Sequence, residues 1–193
     1  MTRLILASAS PQRRMLLEGL GVSFDVVIPT GVDESAHPEI APQKRAQALA
    51  RLKAEEVSAR VKNAWVVGCD TLVVSFDGQL FEKPKDKIEA RQMISAQSGR
   101  TSIVHSGLCL ISPAGKIFEG ISSSEVRFKE LTAAEIDWWI EKKFWEGRSG
   151  SFQIDGLGQL MIEEIKGDWT SIDGFPIFLF GVLCRKAGIS FIP

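Results

Sequence analysis

Leu4-Ile5-Leu6-Ala7-Ser8-Ala9-Ser10-Pro11-Gln12-Arg13-Arg14 decides the fold class. Its first four residues are apolar and read as a short buried strand. Ser10 is a good helix N-cap, because its hydroxyl can accept from an unpaired amide of the first turn. Pro11 suits the first helical position, where no amide hydrogen is required. The helix is expected to run to about Leu20, with Met15, Leu16 and Leu20 on its inner face and Gly21 ending it. A buried strand that feeds directly into a helix is the recurring joint of an α/β protein.

The alternation continues outward from that joint. Strands are expected over residues 23–28, 64–68 (ending on Asp70), 71–75, 79–82, 102–111, 117–128 and 160–165. Asp77-Gly78 between the third and fourth of these is a hairpin signal. Helices are expected over 42–61, where Ala46, Leu49, Leu52 and Val57 form a stripe, over 86–97, and over 176–186. Thr132 and Glu135 form a capping box that starts another helix, reaching about Lys143. Residues 31–42 and 167–174 read as loops, and the Gly- and Ser-rich 144–158 as a functional loop.

The 193 residues carry a formal net charge of -1, with 45% hydrophobic and 24% charged side chains. That length suits one domain, residues 1–193, either undivided or with a cleft between two lobes. Such a chain buries about 70% of its unfolded surface and needs no covalent staples. The near-neutral balance speaks against a surface that coats a nucleic acid polymer, though not against a local phosphate site. The N-terminal apolar run is too short for a signal peptide, and the apolar stretch 175–184 is too short to span a bilayer. A cytoplasmic chain with no membrane partner is therefore expected. Cys69, Cys109 and Cys184 lack metal-ligand spacing and read as small buried hydrophobes rather than a disulfide framework. His37 and His105 give a zinc site or a Ser-His-Asp triad little to build from.

Three groups of residues can carry chemistry. Ser8, Ser10, Arg13 and Arg14 sit where a strand gives way to a helix, and free amides at the positive end of a helix dipole bind phosphate. The same residues are also accounted for by a simple cap with solvated arginines. The carboxylates Asp33, Glu34 and Asp70 follow strands, the place where α/β sheets bind ligands. Carboxylates that meet triphosphate oxygens suggest a Mg²⁺ or Mn²⁺ site. Read alone, Asp33-Glu34 is better accounted for as an ordinary solvated loop. Lys53 and Lys83 are compact cations suited to a charged leaving phosphate, although a lysine on a long helix usually faces solvent.

Taken in order, Ser8-Ala9-Ser10-Pro11 with Arg13, Val32-Asp33-Glu34-Ser35, Leu49-Ala50-Arg51-Leu52-Lys53-Ala54, Gly68-Cys69-Asp70-Thr71, Lys83-Pro84 and Ser98-Gly99-Arg100 resemble the successive motifs of the Maf-like pyrophosphatases. The likeness extends from residue 4 to Gly174-Phe175-Pro176. It implies an α/β fold with a mixed, bent sheet flanked by helices, in two lobes around a cleft. It implies hydrolysis of a nucleoside triphosphate between the α- and β-phosphorus with a divalent cation, and it leaves room for a homodimer. Asp70 matches the family's proton acceptor and a metal-handling position with Glu34. Ser8, Arg13, Lys53 and Lys83 match its phosphate-handling positions, to which the N-cap argument adds Ser10. The family pattern often has arginine at the position of Gln12 and histidine at that of Ser102, which bears on base specificity.

Two further readings follow from the resemblance. The family divides between members taking dTTP and UTP and members taking 7-methyl-GTP, and Gln12, Thr71 and Asp155 are the informative positions. The pyrimidine type has arginine, threonine and glutamine there, of which this chain keeps Thr71. The methylguanine type has a non-arginine and an acid at the first and third places, matched by Gln12 and Asp155. A carboxylate also suits the cationic 7-methylguanine ring and its N–H donors, whereas uracil and thymine would oppose it with carbonyls. Trp138, Trp139 and Trp145 are candidates to stack on such a base, with core packing the competing role for at least two. The rival to an enzyme is a module that binds a nucleotide without cleaving it, linked to cell division as the family name suggests. Asp70 argues against that rival, because a carboxylate beside a polyanion weakens binding unless a metal or an attacking water uses it.

Overall fold

The computed structural model describes residues 3–35 and 37–191. Its strands are β1 (Leu4–Ala7), β2 (Asp25–Val26), β3 (Trp65–Val74), β4 (Leu80–Phe81), β5 (Thr101–Ile111), β6 (Ile117–Phe128) and β7 (Ile162–Lys166). Its helices are α1 (Pro11–Gly19), α2 (Pro42–Arg60), α3 (Lys87–Gln97), α4 (Ala133–Glu141), α5 (Trp169–Ile172) and α6 (Ile177–Ala187). The strands form a mixed sheet in the order β2-β1-β3-β5-β6-β7, with β4 added to β3. β1 runs parallel to β2 and β3, whereas the β3–β4 and β6–β7 pairs are antiparallel. The chain is an α/β protein with a mixed sheet and flanking helices.

The chain divides into two compact units. The first comprises residues up to Asp70, Ser106–Ser122, and Gly174 onward. Its β1 is covered on both faces, which explains why Leu4–Ala7 is apolar without alternation. Leu4, Leu6, Val67, Leu108 and Leu110 pack with Leu17 of α1 and with Phe180 and Leu183 of α6. The opposite face, with Ile5, Ala7, Val66, Cys109 and Ile111, packs against Ala50, Ala54 and Val57 of α2. α2 lies unusually close because glycines stand beneath it. A Cβ added at Gly68 would come within 2.3 Å of the Ala50 carbonyl oxygen, and one at Gly107 within 2.4 Å of that of Ala46.

The second unit comprises Thr71–His105 and Ser123–Asp173. Its core joins Val104, Val126 and Phe128 to Ala90, Met93 and Ile94 of α3 and Ile136, Trp139 and Ile140 of α4. Trp139 and Trp145 are buried in that core, and Trp138 packs on it edge-on to Phe144. All three indoles are therefore packing residues. Trp139 Nε1 donates to the Ser151 carbonyl at 2.8 Å, and Trp145 Nε1 donates to that of Ile140 at 3.0 Å.

Several boundaries differ from the sequence expectation for identifiable reasons. The strand expected over 23–28 shrinks to Asp25–Val26, an edge strand paired on one side with β1. The two strands expected around Asp70 are one, because the chain stays extended and buried through Gly68 and Asp70, so Asp70 lies within β3 and does not end it. On α1 the fully buried residue is Leu17, while Met15 is 54% exposed. The 144–158 loop contains a 3₁₀ turn, Ser149–Ser151, and leads into a second, Gly156–Met161. α5 lies in the segment expected to be loop. The three cysteines are buried and unpaired with one another. Burial raises the Cys109 thiol to about 12 and that of Cys184 to about 11. No helix among the described residues is long and apolar enough to cross a membrane.

Candidate active site

The first unit builds its polar centre where β1 ends. Because β1 and β3 are parallel and Ala7 pairs with Gly68, the Ser8 turn that follows β1 lies level with Cys69-Asp70 inside β3. Ser8 is buried, and its hydroxyl accepts from the Ser10 amide at 3.1 Å and from Arg13 Nη1 at 3.2 Å. Ser10 caps α1, accepting from the Arg13 amide at 3.5 Å and donating to Gln12 Oε1 at 3.1 Å. The turn is thus closed by its own hydroxyls, on donors of the type a phosphate takes at a helix N-terminus. Arg13 Nε donates to the Gly174 carbonyl at 2.9 Å, and that oxygen also accepts from Cys69 Sγ at 2.9 Å. The Gly174 carbonyl therefore connects the arginine to the residue beside Asp70. Arg14, by contrast, faces outward and pairs with Glu18 at 2.7 Å one turn along α1.

The second cluster is ionic. Lys53 is 5% exposed and Asp70 6% exposed, so the lysine belongs to the buried face of α2 rather than to solvent. Lys53 Nζ stands 2.6 Å from Asp70 Oδ1 and 2.7 Å from Glu34 Oε1. Gly68 makes this geometry possible, since only a close approach of α2 brings Lys53 down onto the strand. Asp70 Oδ2 is buried and meets no hydrogen-bond donor among the described residues. An orphaned carboxylate oxygen is costly unless a ligand uses it. The set suits a hard cation, which takes oxygen ligands. The Glu34 side chain, 61% exposed, offers a second oxygen donor. Among the described residues no group of three or more His, Cys, Asp and Glu is assembled.

Thr71, Lys83 and Asp155 belong to the second unit. Lys83 is exposed just after β4. Asp155 precedes the 3₁₀ turn Gly156–Met161 without capping it, and its Oδ1 is buried with no partner among the described residues. Burial, together with the nearby Asp155 charge, lifts the Asp173 carboxyl to about 6, with Arg148 opposing. Ser102 is buried and donates to Gln97 Oε1 at 3.1 Å. Gln97 Nε2 in turn donates to the Gly150 carbonyl at 2.7 Å, a structural bond behind the 149–151 turn.

A dTTP/UTP pyrophosphatase of Deinococcus radiodurans is 40% identical over 188 residues, 97% of this chain and 94% of that protein. A dTTP/UTP pyrophosphatase of Pyrococcus furiosus is 36% identical over 93% of this chain and 92% of its own length. A 7-methyl-GTP pyrophosphatase of Xanthomonas axonopodis pv. citri is 38% identical over 97% of this chain and 98% of its own. The sequence model of the Maf-like proteins matches residues 3–187, which leaves only the chain ends outside it, and the chain belongs to the Maf-like family.

Proposed function

We propose that this chain is a nucleoside triphosphate pyrophosphatase that cleaves between the α- and β-phosphorus, and that 7-methyl-GTP is its preferred substrate. The observation that carries the reaction is the state of Asp70. One of its oxygens is held by Lys53 and the other is buried without a donor, beside a hydroxyl-rich turn at the start of α1. That carboxylate is the base. It accepts a proton from a water whose oxygen attacks the α-phosphorus, and the bond from that phosphorus to the bridging oxygen breaks to release pyrophosphate. Lys53 fixes the orientation of Asp70. Ser8, Ser10 and Arg13 supply hydrogen-bond donors for phosphate oxygens, and Lys83 supplies charge for the leaving group. Glu34 and Asp70 are the residues that would hold a divalent cation, which when bound offsets charge on the phosphates.

Asp155 supports the methylguanine reading: a half-buried carboxylate with an orphaned oxygen suits a cationic ring and its N–H donors. The pyrimidine reading is favoured by Thr71 and by the names of the Deinococcus and Pyrococcus relatives. Pyrophosphate release from 7-methyl-GTP, GTP, dTTP and UTP, with Mg²⁺ or Mn²⁺, decides between them. Fastest turnover of 7-methyl-GTP is expected. Faster dTTP and UTP would overturn the base assignment, and release from none of the substrates would overturn the reaction.

Two substitutions test the residues. Asp155→Gln is expected to lower kcat/KM for 7-methyl-GTP by about 10- to 100-fold relative to that for UTP, the size of a lost charged hydrogen bond. An equal change for both substrates would remove Asp155 from base reading. Arg13→Ala is expected to weaken triphosphate binding by about 1.5–3 kcal/mol. Equilibrium titration with a non-hydrolysable analogue measures that loss, and unchanged affinity would take Arg13 out of the phosphate grip.

A further inference from the structure

We infer that Arg45 is a positioning residue that locks the loop bearing Glu34 onto α2 and so fixes where the Glu34 carboxylate stands beside Lys53 and Asp70. The inference rests on the function proposed above and assigns a role to a residue that no sequence motif marked.

Arg45 is 6% exposed, and an arginine is almost never buried to that degree without a partner. Its Nη2 donates to the Glu34 carbonyl oxygen at 3.0 Å. Arg45 and Lys53 are eight residues apart on α2, about two turns, and both belong to its buried face. Arg45 therefore holds the main chain of Glu34 while Lys53, 2.7 Å from Oε1, holds its carboxylate. One helix face grips the residue at both ends. The loop is further closed on itself, with Asp33 Oδ1 accepting from the Ser35 amide at 2.9 Å and from its hydroxyl at 2.6 Å. Those bonds from Ser35 hold the Asp33 carboxyl below its usual range, and the Arg45 charge adds to the effect. The Glu34 side chain is 61% exposed. A carboxylate so exposed, on an unanchored loop, would have to be ordered each time it bound a cation, at a cost in conformational entropy. A guanidinium suits the anchoring task because its planar fork is preorganised, whereas an ammonium sits on a flexible stem.

The test compares wild type with Arg45→Ala, Arg45→Lys, Glu34→Gln and the double variant Arg45→Ala/Glu34→Gln. In metal-free protein, amide hydrogen exchange over residues 31–35 is expected to accelerate by about tenfold in Arg45→Ala, as fits the loss of one charged hydrogen bond, with the amides of β1 and β3 unchanged. In pyrophosphate release, the Mn²⁺ concentration for half-maximal rate is expected to rise by about tenfold in Arg45→Ala and less in Arg45→Lys. Adding Arg45→Ala to Glu34→Gln is expected to leave the half-maximal Mn²⁺ concentration where Glu34→Gln alone puts it. Unchanged exchange in the loop would overturn the inference. So would an equal rise in half-maximal Mn²⁺ in both backgrounds, which marks a general structural role. If Arg45→Ala does not fold, Arg45→Lys carries the same comparison. A wild-type protein that releases no pyrophosphate would overturn the proposed function, while the exchange measurement would still decide whether Arg45 anchors the loop.

Discussion

Asp70→Asn is expected to lower the turnover of pyrophosphate release by about 10²–10⁴-fold, the usual contribution of a positioned general base. The substitution keeps the size of the side chain and an oxygen that can accept from Lys53, so the buried contact at 2.6 Å has a counterpart. It removes the basicity of Oδ2, the oxygen that meets no donor among the described residues. The loss is therefore expected in kcat, with KM changed much less, because the interaction removed is one made during the chemical step. Steady-state kinetics on the preferred triphosphate, with the melting transition followed in parallel, make the measurement. Near-normal turnover in a folded Asp70→Asn protein would sink the assignment of Asp70 as base.

Lys53→Met has the second large effect, and it acts on stability. Lys53 and Asp70 have side-chain exposures of 7% and 9%, so the pair is screened little by water. Methionine leaves the Asp70 carboxylate buried with no counter-charge, and breaking a buried pair in this way costs about 3–5 kcal/mol. Glu34, the other partner of Lys53, needs no compensation because its side chain is 61% exposed. Urea unfolding should show the loss directly. The control is Lys53→Met/Asp70→Leu, which removes both charges and replaces them with apolar groups. Most of the lost stability should return in the double variant, since deleting a whole buried pair is often near neutral. A double variant no more stable than Lys53→Met would mean that lysine packing, not charge pairing, is what the single substitution removes. Neither variant should release pyrophosphate at an appreciable rate, so stability and activity separate in the double variant.

The sequence by itself determined the local elements whose signals lie within a few residues of one another. Ser10-Pro11 set the start of α1, the Thr132–Glu135 box set that of α4, and both caps are present in the structure. The uninterrupted apolar run at Leu4–Ala7 announced a short buried strand. The succession of short motifs announced the family, because its order is a property of the chain and needs no third dimension. The tertiary structure alone decided what each helix face meets. Helical spacing places Arg45, Leu49 and Lys53 on one side of α2, but it cannot say that this side lies over Gly68 and Gly107, close enough to bury two cations. Nor can it say that a loop returns to receive Arg45 on its backbone and Lys53 on its carboxylate. Lysine and arginine on a helix usually reach water, so nothing local marks them as buried. Sequence distance hid the role of the Gly174 carbonyl. Its partner Arg13 is 161 residues away, and periodicity carries no information about pairings of that range.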